Sequence, residues 1–200
     1  MEQYARLSLI YCYDKKLSLL QKGEEPDWQS PELGIGMEVT EALHPDDGRK
    51  RAVINRYFGK GLDGQAIKDQ FREKYPEYSQ QLHVVGNIAC FSDPFDMQLK
   101  IQQVCSAIIT KSKKLNDNYS KFQQNWLYVF VPELFVDRDI PVVFQSYKET
   151  MIEELLFYNK IFLNACDFIF VLNPEGLECK VPVLEDNLER LKTDANHLIR

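Results

Sequence analysis

The sequence has few of the residues that build metal frameworks or disulfide scaffolds. Its 200 residues include three histidines and five cysteines. No two cysteines lie within four positions of each other and the histidines do not cluster, which excludes a structural zinc motif and a disulfide framework. The cysteines are therefore expected to be reduced and buried. The chain also lacks a GxxxxGK[ST] phosphate-binding loop and a Gly-x-Ser-x-Gly nucleophile elbow, which excludes the sites built on those motifs.

Long apolar runs are missing as well. The longest lie near residues 126–132 and 168–172, far short of the roughly 20 residues that a membrane-spanning helix needs. The first residues do not combine basic charge with an apolar stretch, as a secretory signal does. These absences predict a soluble cytoplasmic protein with no membrane partner.

What the chain does contain is enough apolar side chain for one sizeable core. Hydrophobic residues make up 44% of it and aromatic residues 12%, which predicts a single domain over residues 1–200. The net charge of −6 argues against indiscriminate binding to nucleic acid. Basic residues nonetheless gather in two runs, at Arg49, Lys50, Arg51, Arg56 and Lys60, and at Lys111, Lys113, Lys114 and Lys121. Such runs are typical of solvated helix faces, and the alternative is a positive rim around an acidic centre.

Helix and strand patterns alternate along the chain. Apolar spacing and capping residues predict helices over residues 3–20, 46–58, 63–76, 93–116, 147–163 and 185–199. Strands are predicted over residues 34–42, 126–131, 168–172 and 177–181, with a strand or an irregular link over 83–91. This alternation predicts an α/β fold, in which a mixed or partly parallel β-sheet is flanked by helices and a helical insertion spans about residues 44–80.

A hairpin near the N-terminus carries the most informative residues. Side chains alternate between the faces of a strand, so one face of the strand 34–42 takes Ile35, Met37 and Val39. The other face takes Gly34, Gly36, Glu38 and Thr40. Two glycines beside a carboxylate predict an open notch above the sheet, and Asp27 on the preceding extended segment can approach Glu38. Neighbouring carboxylates favour a hard divalent cation such as Mg²⁺ or Mn²⁺.

This arrangement resembles the PD-(D/E)XK nuclease superfamily. Its members have a first helix, a Pro-Asp, an acid-x-Lys tripeptide on a strand about ten residues later, and then a further helix and strand. Pro26-Asp27 and Glu38-Val39-Thr40 match that order. The sequence around them is similar to that of a bacterial or phage subgroup of nuclease-like proteins. The resemblance covers residues 1–42 and, more loosely, 94–131. It implies a restriction-endonuclease-like core in which Asp27 and Glu38 bind Mg²⁺ (or Mn²⁺), with the backbone carbonyl of Val39 as a further ligand.

The tripeptide departs from the family pattern at its third position. Thr40 stands where the family has lysine, and threonine supplies no positive charge. Some members recruit the lysine from the following helix, and Lys111 lies at the flank of the apolar stripe of the predicted helix 93–116, whereas Lys113 and Lys114 point outward. Lys111 is therefore the candidate for the missing cation, and a snorkelling surface lysine is the alternative.

A second hairpin contains a complete acid-x-Lys tripeptide. Glu178-Cys179-Lys180 follows Asp167 by the same eleven residues that separate Asp27 from Glu38. No strand is predicted after this hairpin, so the family's core could not be completed there. A surface Glu–Lys pair on one strand is the interpretation favoured here, and this hairpin is the second choice for the site.

The function predicted from these features is metal-dependent hydrolysis of nucleic acid phosphodiesters. The catalytic residues would be Asp27, Glu38, Thr40 and Lys111. The phosphate-binding residues would be Arg49, Lys50, Arg51, Arg56 and Lys114. The alternative is a catalytically degenerate interaction protein, such as an immunity or regulatory factor on the same scaffold, because loss of the strand lysine is what a degenerate site would show.

Overall fold

A computed structural model describes the chain at residues 1–42, 63–76, 82–85, 88–91, 97–117, 120–131, 137–153, 156–165, 167–184, 186–187, 190–191 and 194. Two compact units divide it, the first formed by Met1–Ala42 with Gln98–Arg200 and the second by Leu43–Met97. The predicted helical insertion at about residues 44–80 falls in the second unit. The predicted helix over 46–58 and most of the predicted helix over 185–199 lie outside the described residues.

The first unit begins with helix α1 (Glu2–Cys12) and a short 3₁₀ helix (Lys15–Leu19), followed by three strands: β1 (Gln21–Lys22), β2 (Trp28–Ser30) and β3 (Ile35–Glu41). The second unit contains α2 (Gly64–Lys74), β4 (Leu82–Val85) and β5 (Ile88–Phe91). After it come α3 (Met97–Asp117), β6 (Gln124–Phe130), a 3₁₀ turn (Asp137–Asp139), α4 (Ile140–Glu153), β7 (Lys160–Asn164), β8 (Phe168–Asn173) and β9 (Gly176–Pro182).

One mixed sheet organises the described part of the first unit. Its seven strands run in the order β1-β2-β3-β6-β7-β8-β9. The pairs at both ends are antiparallel, whereas β3, β6 and β7 are parallel to one another. Parallel neighbours need a crossover, and α3 and α4 lie in the two crossovers. The prediction of an α/β fold with a mixed sheet flanked by helices is confirmed.

Apolar clusters cover both faces of this sheet. One cluster joins α1 to β3 and β6 through residues such as Leu9, Met37 and Tyr128. The other joins α3 and α4 to the opposite face through Ile108 and Leu127, among others. Because successive side chains of β6 enter different clusters, its sequence is a continuous apolar run, as expected for a strand buried on both faces. In the described residues no helix is long and apolar enough to cross a membrane.

The prediction of a helix over residues 147–163 is wrong. Helix α4 ends at Glu153, and Lys160–Asn164 forms strand β7 in the middle of the sheet. Ile161, Phe162 and Leu163 are all fully buried, and a short apolar run of that kind fits a buried strand as well as a helix. The predicted helix over 3–20 likewise breaks after Cys12, since the Asp14 side chain accepts a hydrogen bond from the backbone N–H of Lys16 and starts the 3₁₀ helix.

The second unit follows its local signals. Asp63 caps α2 by accepting a hydrogen bond from the backbone N–H of Ala66 at 2.7 Å, as its position before the apolar residues predicts. Phe71 of this helix is fully buried. The segment predicted as a strand or irregular link is an antiparallel hairpin of β4 and β5.

The predicted open notch beside β3 is filled. A methyl group at Gly36 would overlap the Phe122 ring and lie 2.9 Å from Cγ of Pro26. Glycine at this position therefore lets a ring and a proline pack directly on the strand backbone. The face of β3 that carries Glu38 is closed on this side.

Gly36→Ala should lower the free energy of unfolding by about 1–3 kcal/mol, because the added methyl group must displace a packed ring. Urea denaturation would measure the loss. In a Phe122→Leu background the same substitution should cost less, since the smaller side chain can yield. Equal stability of Gly36→Ala and the unaltered protein would show that the packing at Gly36 is loose.

Candidate metal centre

The chain places Asp27 next to Glu38 through the β2–β3 hairpin. Trp28 pairs with Met37 in this antiparallel ladder, so the next position of the register sets Asp27 opposite Glu38, on the other face of the sheet from Trp28. The Asp27 carboxylate accepts a hydrogen bond from the backbone N–H of Val39 at 2.8 Å. This bond fixes the carboxylate against β3.

Glu38 forms an ion pair with Lys111. The Lys111 ammonium donates a hydrogen bond to Oε1 of Glu38, although the two residues are 73 positions apart. Only 6% of the Glu38 side chain and 17% of the Lys111 side chain are exposed. Lys111 lies on α3 between the buried residues Ile108 and Leu115, at the flank of the apolar stripe. Its side chain therefore contacts β3 at Glu38, two residues before Thr40.

Polar contacts around Lys111 hold this part of α3 to the chain before β7. The Tyr158 hydroxyl donates a hydrogen bond to the carbonyl of Lys111 at 3.1 Å. The Asn116 side chain bonds both backbone groups of Leu156, donating to the carbonyl at 2.8 Å and accepting from the N–H at 2.9 Å. The backbone that carries Lys111 is therefore fixed, whereas its long side chain retains rotatable bonds.

Two further charged residues border Asp27, and the sequence pattern did not single them out. The Lys22 ammonium pairs with the carboxylate of Glu2 and lies 3.7 Å from Oδ1 of Asp27. Trp28 of β2 contacts the first turn of α1, because its indole N–H donates a hydrogen bond to the carbonyl of Glu2 at 3.1 Å. Lys22 lies on a strand of two residues, too short to show periodicity. Glu2 is an acid in the first turn of a helix, where acids are common for helix-dipole reasons.

The pKa of Asp27 depends on its burial and on the charges around it. The pKa of Asp27 is raised from its ordinary value of 3.8 to about 6, chiefly by burial. The neighbouring Glu38 and Glu2 carboxylates contribute to this increase, and the hydrogen bond from Val39 opposes it. The pKa of Glu2 is lowered, chiefly by its hydrogen bond to Lys22. Asp27 is therefore a carboxylate whose negative charge the protein compensates poorly.

The raised pKa of Asp27 makes stability depend on pH. Between about pH 4 and pH 6 the folded chain keeps a proton on Asp27 that the unfolded chain has lost, so the free energy of unfolding falls as the pH rises. A pKa change of this size corresponds to about 2–3 kcal/mol. Urea denaturation from pH 4 to pH 7 in a chelator should show this decline relative to Asp27→Asn, which has no such proton. Parallel profiles for the two proteins would contradict the burial of the Asp27 charge.

The donors at this position fit a hard divalent cation. Asp27 and Glu38 supply carboxylate oxygens, which Mg²⁺ and Mn²⁺ prefer, and such ions complete their shells with water and backbone carbonyls. The poorly compensated charge of Asp27 is one that a cation would stabilise. Within the described residues there is no group of three or more His, Cys, Asp or Glu side chains arranged to hold a metal ion. The role of the Val39 carbonyl stays a prediction.

The other residues predicted for the site either take no part in the contacts described above or lie outside the described residues. Thr40 is half-buried near the end of β3, and Lys114 is exposed on α3. The Lys121 ammonium donates to the carbonyls of Leu115 and Asn116 at the end of α3, which is a capping role. The predicted phosphate-binding residues Arg49, Lys50, Arg51 and Arg56 lie outside the described residues.

The second acid-x-Lys hairpin does not assemble an acid pair. Phe168 pairs with Pro182 across β8 and β9, so Asp167 lies at the opposite end of the hairpin from Glu178, about 13–17 Å away at strand spacing. Glu178 accepts hydrogen bonds from Lys160 at 2.6 and 2.8 Å. Lys180 pairs instead with Asp137 at 2.7 Å. The favoured interpretation, a Glu178–Lys180 pair, is therefore wrong, because each residue has a partner on another element.

A glycine pattern precedes α2. Gly59-Lys60-Gly61-Leu62-Asp63-Gly64 has the GxGxxG spacing of dinucleotide-binding loops. That motif needs a strand directly before it, and residues 59–62 lie outside the described residues, as do those just before them. The spacing alone carries little weight, and Asp63 is accounted for as the cap of α2.

Comparison of the chain with protein-family models, with curated proteins and with solved structures found no match. What the candidate metal centre does must be inferred from its own side chains.

Proposed function

We propose that this protein is a Mg²⁺- or Mn²⁺-dependent phosphodiesterase that acts on nucleic acid. Asp27 and Glu38 hold the metal ion, and Lys111 supplies the positive charge that Thr40 does not. The observation that carries the proposal is the contact of the Lys111 ammonium with Glu38 across 73 residues, beside a second carboxylate fixed by Val39. A Pro-Asp, an acid on β3 and a lysine on α3 are thus brought together on one face of the sheet.

The order of elements supports the same proposal. Helix α1 precedes Pro26-Asp27, β3 carries Glu38, and α3 leads into β6. Strand β6 lies parallel to β3 and next to it, so the helix that carries Lys111 crosses over the face on which Glu38 lies. This is the order that the resemblance to PD-(D/E)XK nucleases implies.

The chemistry divides among three side chains. A divalent cation held by Asp27 and Glu38 would supply positive charge near the phosphate and would lower the pKa of water. Asp27 and Glu38 position that ion with hard oxygen donors. The Lys111 ammonium stabilises negative charge that develops on the phosphate, where a preoriented cation in a partly buried site is most effective. Thr40 can offer a hydroxyl group but no charge.

Thermal unfolding with and without Mn²⁺ tests the metal ligands. We expect Mn²⁺ to raise the melting temperature of the unaltered protein, since a ligand that binds only the folded state stabilises it. Asp27→Asn and Glu38→Gln should abolish the increase. Glu178→Gln is the matched control and should retain it, because Glu178 belongs to the other hairpin.

Incubation with labelled single- and double-stranded DNA and RNA in Mg²⁺ then tests the reaction. Cleavage that disappears in chelator and in Asp27→Asn would support the proposal. Metal-dependent stabilisation that survives both Asp27→Asn and Glu38→Gln would refute the assignment of the site.

A second function is favoured by the closure of the site. Glu38 is 6% exposed, and Phe122 and Pro26 pack over Gly36 on the same strand, which restricts entry of a phosphate. A non-catalytic interaction protein would use the Glu38–Lys111 pair only to fix α3 on the sheet. Absence of metal-dependent stabilisation in the unaltered protein would favour this second function.

A further inference from the structure

We propose that Lys111 is a charge lock on the metal centre, meaning that its ammonium and a divalent cation compete for the Glu38 carboxylate. The proposal rests on the proposed function, since it requires Asp27 and Glu38 to bind a metal ion. It adds a coupling between metal binding and the position of the lysine.

The burial of the pair supports the lock. An ionised carboxylate that is only 6% exposed needs a positive partner, because little water can solvate it. In this structure that partner is the Lys111 ammonium. A divalent cation would bring a second positive charge to the same carboxylate, and two positive groups at contact distance repel each other.

The surroundings of Asp27 show why a cation would still be drawn to the site. Asp27 accepts the N–H of Val39 and lies 3.7 Å from the ammonium of Lys22, whose side chain is 52% exposed. A half-exposed lysine compensates charge weakly because water screens it. The two carboxylates therefore differ, with a buried cation against Glu38 and a screened cation beside Asp27.

Release of Lys111 would connect metal binding to catalysis. Its backbone is fixed through Tyr158, whereas its ammonium lies at the end of a flexible four-carbon chain. Once a metal ion takes Glu38, the ammonium is free to meet a phosphate. A lysine at position 40 would lie on the same strand as Glu38. The movement of the ammonium between Glu38 and a phosphate therefore depends on the position of the lysine on α3.

Mn²⁺ affinity tests the lock directly. Titration of Mn²⁺ followed by electron paramagnetic resonance would be compared among the unaltered protein, Lys111→Met and Lys113→Met. Lys111→Met should bind Mn²⁺ at least about tenfold more tightly, since it removes the competitor. Lys113→Met should leave the affinity unchanged, because Lys113 is exposed on the same helix.

The outcomes separate the lock from the metal centre. Equal or weaker affinity in Lys111→Met, with binding by the unaltered protein, overturns the lock and leaves the metal centre intact. Binding in Lys111→Met alone supports the lock. Absence of binding in both proteins overturns the lock and the metal centre together, and tighter binding without cleavage of any phosphodiester overturns only the proposed reaction.

Lysine labelling of the unaltered protein tests the charge lock even if Lys111→Met does not fold. Acetylation by acetic anhydride, read by mass spectrometry, would be compared with and without Mg²⁺. Lys111 should become at least about threefold more reactive relative to Lys113 when Mg²⁺ releases it from Glu38. Unchanged relative labelling at a Mg²⁺ concentration that stabilises the fold would overturn the lock.

Discussion

Lys111→Ala is expected to lower kcat for Mg²⁺-dependent phosphodiester cleavage by about 10²–10³-fold. The reason is that a preoriented cation stabilises the transition state more than the bound substrate, so its loss falls on kcat. Single-turnover cleavage of whichever nucleic acid the unaltered protein cuts would measure the change. Metal binding should persist, because Asp27 and Glu38 remain.

Lys113→Ala is the matched control for this change. It removes the same charge from the same helix two positions further on, where the side chain is exposed. Its kcat should stay within about twofold of the unaltered protein, as for surface substitutions away from a site. Equal losses in both variants would mean that the lysines act through general charge, and an active Lys111→Ala would remove Lys111 from the reaction.

Lys111→Met is expected to lower the free energy of unfolding by about 3–5 kcal/mol, because it leaves the Glu38 carboxylate buried without its partner. Glu38→Gln combined with Lys111→Met should cost much less, since no uncompensated charge remains. Urea denaturation in a chelator, applied to both single variants and the double variant, gives the coupling free energy.

An exposed ion pair provides the comparison. Lys22 and Glu2 have side chains that are 52% and 46% exposed, so Lys22→Met should cost less than about 1 kcal/mol. A coupling between Glu38 and Lys111 as small as that of the exposed pair would show that water reaches Glu38. It would also remove the electrostatic basis of the charge lock.

The parts of the candidate site that depend on local pattern were predictable from the sequence. The strand predicted over residues 34–42 is β3, Ile35–Glu41, because alternation over seven residues is a strong signal. The eleven-residue spacing of Asp27 and Glu38 fits a tight hairpin, so their proximity follows from the chain itself. The position of Lys111 beside an apolar stripe predicts that it lies at the edge of the buried face of its helix.

The parts that depend on distant contacts were not predictable. The notch at Gly36 is closed by Phe122. This residue follows α3 in the chain, and nothing in the sequence pattern predicts its contact with Gly36. The sequence predicts the end of a helix where β7 forms, because Ile161–Leu163 has no period of its own. The strand conformation of this segment depends on β6 and β8 as neighbours. Lys22 reaches Asp27 only because β1 adds to the hairpin.

The separation of Glu38 and Lys111 along the chain has a consequence for how the centre assembles during folding. The β2–β3 hairpin joins residues close in sequence and can form early, which brings the two carboxylates together before the rest of the sheet exists. The lysine arrives only when α3 has crossed over and β6 has paired with β3, after the whole segment between them has been synthesised. The acidic pair therefore precedes the counter-charge of Glu38, and at that stage of folding the lysine near the pair is Lys22, which lies beside Asp27.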